Sequence, residues 1–234
     1  MRELSIKKLT LKYPEGSCMI KMGETIVLVT ASIDDKVPPF LEGTGKGWVT
    51  AEYNMLPRSN NKRKPRTNNL IKPDGRAMEI QRLIGRALRT AVDRKLLGER
   101  TITIDCEVIQ ADGGTRTASI NGGFVALYEA CKFLVNNGTI KQMPIKFFIG
   151  AVSVGKVGKD FIQDLCYKED SKAIVDLNVV LNEHGDFIEL QGTGEEDVYS
   201  REDLDKLIDI AKAGIEEIVL KQKEVVNENN FSDI

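Results

Sequence analysis

The chain reads as an α+β fold, mixed sheets with packed helices, and three observations predict it. From Leu4 to Tyr53 strand signals alternate with turns, three later runs have helical periodicity, and no Pro/Gly-rich linker divides the chain. With 234 residues, 41% hydrophobic and 29% charged, it is long enough to bury a substantial core. We read one domain over 1–223, made of two intimately packed halves of about 1–142 and 143–223, and a fraying tail over 224–234.

The elements follow in order. Leu4–Leu9, Ser17–Met22 and Thr25–Thr30 alternate as strands around turns at Pro14-Glu15-Gly16 and Met22-Gly23-Glu24, which suggests a β-meander. Gly47–Tyr53 is another strand, and Arg58–Pro73 is a basic, proline-containing loop longer than ordinary connections. Between Ala77 and Leu97, Ile80, Leu83, Ile84, Ala87, Leu88 and Ala91 form one apolar helical stripe. Thr101–Ile109 is a strand and Thr117–Asn136 a helix stopped at Asn136-Asn137-Gly138. Phe147–Val157, Phe161–Tyr167, Ala173–Asn182 and Phe187–Gln191 read as four further strands. Ser200 to Asp203 has capping-box spacing and opens a last helix with Leu204, Leu207, Ile208, Ala211, Ile215 and Ile218 on its buried face.

Several function classes are disfavoured. No apolar run approaches the roughly 20 residues needed to cross a bilayer, and the polar Met1–Leu4 start lacks a signal-peptide pattern, so the expectation is cytoplasmic with no membrane contact. Cys18, Cys106, Cys131 and Cys166 are dispersed in apolar or strand-like stretches without metal-ligand spacing, and read as buried reduced thiols. The P-loop signature is absent. His184, the only histidine, lies in a hairpin turn and reads as structural or exposed, leaving no histidine-paired nucleophile.

The net charge of −2 conceals an asymmetry: Pro57–Thr90 is strongly basic, whereas Asp160–Asp209 is strongly acidic. Between them, Gln110–Ser119 (Gln-Ala-Asp-Gly-Gly-Thr-Arg-Thr-Ala-Ser) joins a strand to a helix. Paired glycines let backbone N–H groups approach an anion, the helix start supplies a positive dipole end, and Arg116 adds a guanidinium fork. The alternative is a tight turn capped by Thr115 or Thr117. Asp170 and Asp176 flank a short Ser171-Lys172 turn between two expected strands; a hairpin there would set the carboxylates side by side to share Mg²⁺ with a phosphate, and Asp164 is a weaker candidate. The alternative for each is a solvated turn carboxylate.

Four long runs then resemble the ribonuclease PH family. They are Gly47–Arg58 (Gly-Trp-Val-Thr-Ala-Glu-Tyr-Asn-Met-Leu-Pro-Arg), Gly75–Arg86 (Gly-Arg-Ala-Met-Glu-Ile-Gln-Arg-Leu-Ile-Gly-Arg), Asp105–Ser119, and Glu169-Asp170-Ser171 followed by Asp176–Val180. Glu189–Thr193 also fits, so the resemblance spans Leu4 to Lys223. It implies a ribosomal-protein-S5-domain-2-like fold, a hexameric ring built as a trimer of dimers, and phosphate-dependent 3′-to-5′ trimming of tRNA precursors and other RNA 3′ ends. By the same resemblance, Arg76, Gly114, Thr115 and Arg116 would hold inorganic phosphate, the co-substrate. Asp170 and Asp176 would hold Mg²⁺ or assist proton transfer, with Arg116 acting beside them, and Arg58, Arg63 and Arg66 would serve tRNA binding and ring formation.

Three departures stand out. The Arg-x-Asp-Gly-Arg segment that usually opens the family is absent, as if the chain starts about ten residues late by motif alignment: either the start is misassigned or an N-terminal contact that bears on oligomer stability and RNA affinity is missing. Ala77 replaces an expected threonine, and Asn121-Gly122-Gly123 is unusual after the glycine junction. A non-catalytic ring subunit is the competing class. Retention of Arg76, Arg116, Asp170 and Asp176 together favours activity, and one catalytic unit without an appended RNA-binding domain disfavours a polynucleotide phosphorylase.

Overall fold

Alternating apolar and polar residues place one face of each early strand in the core. Strands β2 (Gly16–Met22) and β3 (Thr25–Asp34) form an antiparallel hairpin turned at Gly23, whose φ of 56° suits glycine, and β1 (Leu4–Lys8) adds alongside β2. The computed structural model describes residues 1–65, 74–194 and 197–228. Strand β5 (Thr101–Gln110) pairs antiparallel with β3, and β4 (Trp48–Met55) lies parallel to β5 at the edge, giving the order β1-β2-β3-β5-β4. Because a parallel pair needs a crossover, the chain between β4 and β5 carries α1 (Gly75–Thr90) and α2 (Arg94–Leu97).

Helical periodicity from Ala77 to Leu97 predicts one helix, whereas two form. Asp93 interrupts it: its carboxylate caps α2 by accepting from the Lys95 and Leu96 amides, and its own N–H donates to the Pro144 carbonyl. Arg89, near the end of α1, stacks on Trp48 at 3.9 Å and donates to the Val49 carbonyl, so its guanidinium is a packing group.

Helix α3 (Thr115–Asn136) is buried on nearly every side. Small residues make that possible. A Cβ on Gly16 would stand 2.0 Å from the Ala126 carbonyl oxygen, and Gly122 and Gly123 face Ile20 and Leu88 with no room to spare. Asn121 donates to the Ala151 carbonyl at 2.8 Å and accepts from its amide at 2.7 Å, giving α3 a strand-like grip on the second sheet. The Asn121-Gly122-Gly123 run therefore serves packing.

That second sheet comprises β6 (Ile149–Val157), β7 (Asp160–Gln163), β8 (Val175–Asn182) and β9 (Phe187–Gly194), antiparallel in the order β7-β6-β8-β9. The expected Phe161–Tyr167 strand stops at Gln163. Asp164 turns the chain by adopting φ 59°, and Tyr167–Asp170 forms the short helix α4, with the Glu169 carboxylate accepting from the Cys166 amide. Asp170 therefore ends a helix, and the hairpin proposed around Ser171-Lys172 does not form. Cys166 is half-buried, while Cys18, Cys106 and Cys131 are buried; desolvation raises all three thiols, Cys18 and Cys131 to about 12.

Helix α5 (Arg201–Asn227) starts at the expected Ser200/Asp203 capping box and covers the outer face of the second sheet, with Ile215 against Gly150. It runs beyond the boundary expected for a fraying tail. Val225 and Val226 are buried, and Lys8 reaches the Glu228 carbonyl. The layers are thus first sheet, α1 with α3, second sheet, α5. No helix among the described residues is long and apolar enough to cross a membrane.

Candidate active site

The strand-to-helix junction turns through two consecutive left-handed glycines, Gly113 (φ 76°) and Gly114 (φ 61°). Gly114 is itself the N-cap of α3 and has no side chain with which to cap it. The capped-turn alternative is therefore not realised at Thr115 or Thr117: the Thr117 hydroxyl donates to the Gly114 carbonyl instead. First-turn amides of a long, buried helix consequently lack a side-chain acceptor, which is an anion-binding end. By contrast, α1 is closed by Asp74, which accepts from the Arg76 and Ala77 amides.

Side chains converge on the open end. Tyr53, nearly buried on β4, donates to the Thr115 hydroxyl at 2.9 Å. Burial raises its phenol, while the Thr115 hydrogen bond and the neighbouring Arg76 and Arg116 charges pull the other way, so both guanidiniums lie within electrostatic reach. Arg116 donates to Gln191 Oε1 at 2.6 Å and lies 3.7 Å from Glu79, and Gln191 donates to the same Glu79 oxygen at 2.8 Å. Arg76 is exposed, and beyond its backbone N–H on Asp74 its guanidinium makes no hydrogen bond or ion pair with a described residue. Arg116 is thus held in place by α1 and β9, whereas Arg76 is available to an incoming anion.

Strand register supplies the opposite wall. Asn178 lies across from Gln191 and Asp176 across from Thr193, so all four project on the face of the second sheet that meets Arg116. Asp176 and Asp170 are both half-buried, and Asp176 Oδ2 accepts from Asn178 at 3.5 Å. Among the described residues no three His, Cys, Asp or Glu side chains converge as a metal cage. Asp170, at the end of α4, and Asp176, on β8, are each a carboxylate of the kind magnesium takes one or two of, completing its shell with water and phosphate oxygens. Asp164 is unavailable for that role because both its oxygens accept from Arg2.

An open hollow of ≈ 370 Å³ adjoins the site along α1, lined by Gly75, Met78, Glu79, Arg82 and Arg86, the last paired with Glu189 at 2.7 Å. The basic loop is rooted at the glycine junction, since the Ala111 amide donates to the Ser59 carbonyl at 2.9 Å. Arg58 and Arg63 are exposed there, Arg58 donating to Asn61 within its own loop, and Arg66 lies outside the described residues. A second hollow of ≈ 360 Å³ between the His184 turn and α5 contains none of these groups.

Residues 1–132 match the model described as 3′ exoribonuclease family, domain 1, and residues 148–214 match the same family's domain 2. The chain belongs to the 3′ exoribonuclease family. The crystal structure of rice (Oryza sativa) Rrp46 has this fold, with a TM-score of 0.75, 18% identity, and coverage of 97% of this chain and 96% of that one. The Archaeoglobus fulgidus exosome with RNA bound to the active site gives 0.78 and 21%, covering 95% and 88%. An archaeal exosome core gives 0.73 and 20%, covering 97% and 87%. At such identities the likeness is one of fold. This 3′ exoribonuclease family chain also carries site residues to which sequence reasoning assigned no role: Tyr53, Glu79 and Gln191. Gln191 was visible as a strand residue, but its contact with Arg116 depends on how β9 stacks against α3.

Proposed function

We propose that the chain is a ribonuclease PH-type phosphorolytic 3′-to-5′ exoribonuclease that trims the 3′ ends of precursor tRNA, acting in the cytoplasm as a homohexamer of three dimers. The observation that carries the reading is the uncapped N-terminus of α3, with Thr115 and Arg116 on its first turn and Arg76 within electrostatic reach of Tyr53, which bonds Thr115. These groups suit a small dianion. Inorganic phosphate held there presents an oxygen to the phosphorus of the last phosphodiester. The new P–O bond forms as the bond to the penultimate 3′-oxygen breaks, and a proton passes from the attacking phosphate to that oxygen. The products are a nucleoside 5′-diphosphate and RNA shortened by one residue, and the step reverses because one phosphoric anhydride or ester linkage replaces another.

The protein contributes positioning and charge. Arg116, braced by Gln191, and Arg76 neutralise the developing phosphoryl charge; the α3 amides and Thr115 orient the nucleophile. Asp170 and Asp176 would hold Mg²⁺, which when bound supplies further charge neutralisation between nucleophile and RNA. Arg58, Arg63 and Arg66 would grip the polymer through its phosphates, giving affinity without sequence preference.

The test is to incubate the protein with 3′-labelled RNA and Mg²⁺, with and without phosphate, and to identify the released nucleotide. Diphosphates released only with phosphate are expected; monophosphates released equally without it would refute phosphorolysis. Arg116→Ala and Asp170→Ala should each lower trimming by about 100-fold or more while leaving the native mass unchanged.

A further inference from the structure

The two walls of the site come from different sheets, and one ion pair ties them together. Ahead of β1, Arg2 reaches across both: its backbone N–H and Nη2 donate to Asp164 Oδ2 and Oδ1 at 3.3 and 2.6 Å, and its Nη1 donates to the Asp112 carbonyl at 2.6 Å. Asp112 opens the glycine junction, and Asp164 begins the segment that ends in Asp170. The Asp164 side chain is wholly covered.

Each flank is fixed independently to this pair. Asp164 is the only non-glycine residue with positive φ among the described residues, a conformation that persists where its surroundings over-determine it, and its amide donates to Ser153 on β6 at 2.6 Å. Gly113 is pressed against the next residues, so that a Cβ there would meet the Leu165 carbonyl oxygen at 2.3 Å. The Tyr167 amide donates to Asp112 Oδ1 at 3.3 Å. On the other side, Thr25 accepts from the Asp112 amide at 2.9 Å and donates to the Gly113 carbonyl at 2.6 Å. A Cβ on Gly114 would stand 3.2 Å from Arg2 Nη2 and 3.5 Å from Asp164 Oδ1, so the pair lies directly beneath the open end of α3.

We infer that Arg2 and Asp164 are positioning residues that hold the anion-binding junction and the Asp170-bearing segment in one fixed relation, so that phosphate and cation affinity rise and fall together. Neither needs to touch phosphate, metal or RNA. Lysine cannot replace Arg2, because a single ammonium cannot bridge the Asp112 carbonyl and Asp164 with the same fork geometry. The inference rests on the phosphorolytic reading where it concerns turnover, and on geometry alone where it concerns the joint anchoring of two segments.

The experiment uses the full chain with Arg2→Lys, Arg2→Ala and Asp164→Asn, each assayed below its melting temperature as established by circular dichroism. In the folded variants, the phosphate KM and the Mg²⁺ half-saturation concentration should rise in parallel, by about tenfold for Arg2→Ala, with Arg2→Lys rescuing little. Amide hydrogen exchange should quicken at both 112–116 and 165–170 in the same variants, while Val108 in β5 stays protected. Folded variants with parental KM and Mg²⁺ dependence, or loosening of only one segment, would overturn the inference. If the parent protein proves indifferent to phosphate, phosphorolysis fails while joint loosening still supports the clamp.

Discussion

A hydroxyl has one proton, and Tyr53 determines how Thr115 uses it. When the phenol donates to the Thr115 oxygen, the threonine proton is free to point at an anion beyond the α3 start. Burial raises the phenol against the opposing pull of Thr115, Arg76 and Arg116, so Tyr53 stays protonated and donating through neutral pH. Tyr53→Phe should therefore raise the phosphate KM about 5-fold, with a smaller change in kcat and a stability loss of about 1 kcal/mol; initial rates against phosphate and a urea titration measure these. At this scale, Arg76 was assigned through the family resemblance, whereas Thr115 and Arg116 were legible as anion-binding candidates because anion chemistry leaves a residue-type signature beside a glycine turn. Tyr53, Glu79 and Gln191 were not, because each acts through a partner far away in the chain.

Among the elements, α3 does two things: its start faces the site and its middle fills the interior. Asn121 is the hinge of that arrangement, meeting both the N–H and the C=O of Ala151. Asn121→Leu leaves both backbone groups buried without a partner, and should lower unfolding free energy by about 2 kcal/mol or more, read as a drop in the urea midpoint at unchanged slope. Periodicity revealed α1, α3 and α5 because each is long. It misplaced the ends of short elements. Asp93 split one helix and Asp164 ended β7 early, each through one side chain whose alternative bonding competes with the regular ladder.

For the whole molecule, the strand-and-helix order and the missing linker were enough to read two packed α+β halves, since sheets must bury one face and helices one stripe. The parallel placement of β4 and the stacking of the second sheet on the α1/α3 layer depend on long-range packing that no local pattern encodes. Long-range pairs also shape the pH response. Burial raises the Glu183 carboxyl, but the ion pair with Lys223 at 2.5 Å, the Phe148 amide and His184 outweigh it and leave the group below its ordinary value of 4.5. Its contribution is present above the unfolded carboxyl's pKa and is lost as pH falls through the lower folded value. Glu183→Gln should thus melt below the parent at pH 7, with the gap closing below about pH 4 in melts across that range.

The near-total burial of α3 carries a consequence for how such a chain can change. A helix wedged between two sheets behaves as a stiff rod, so a core substitution near Gly16, Ala126 or Asn121 displaces it along its axis as well as sideways. Its far end is the proposed anion cradle. Interior and chemistry therefore vary as one trait: a lineage can enlarge or shrink this core only through compensating changes on both sheets, or it loses register at the position where phosphate would bind.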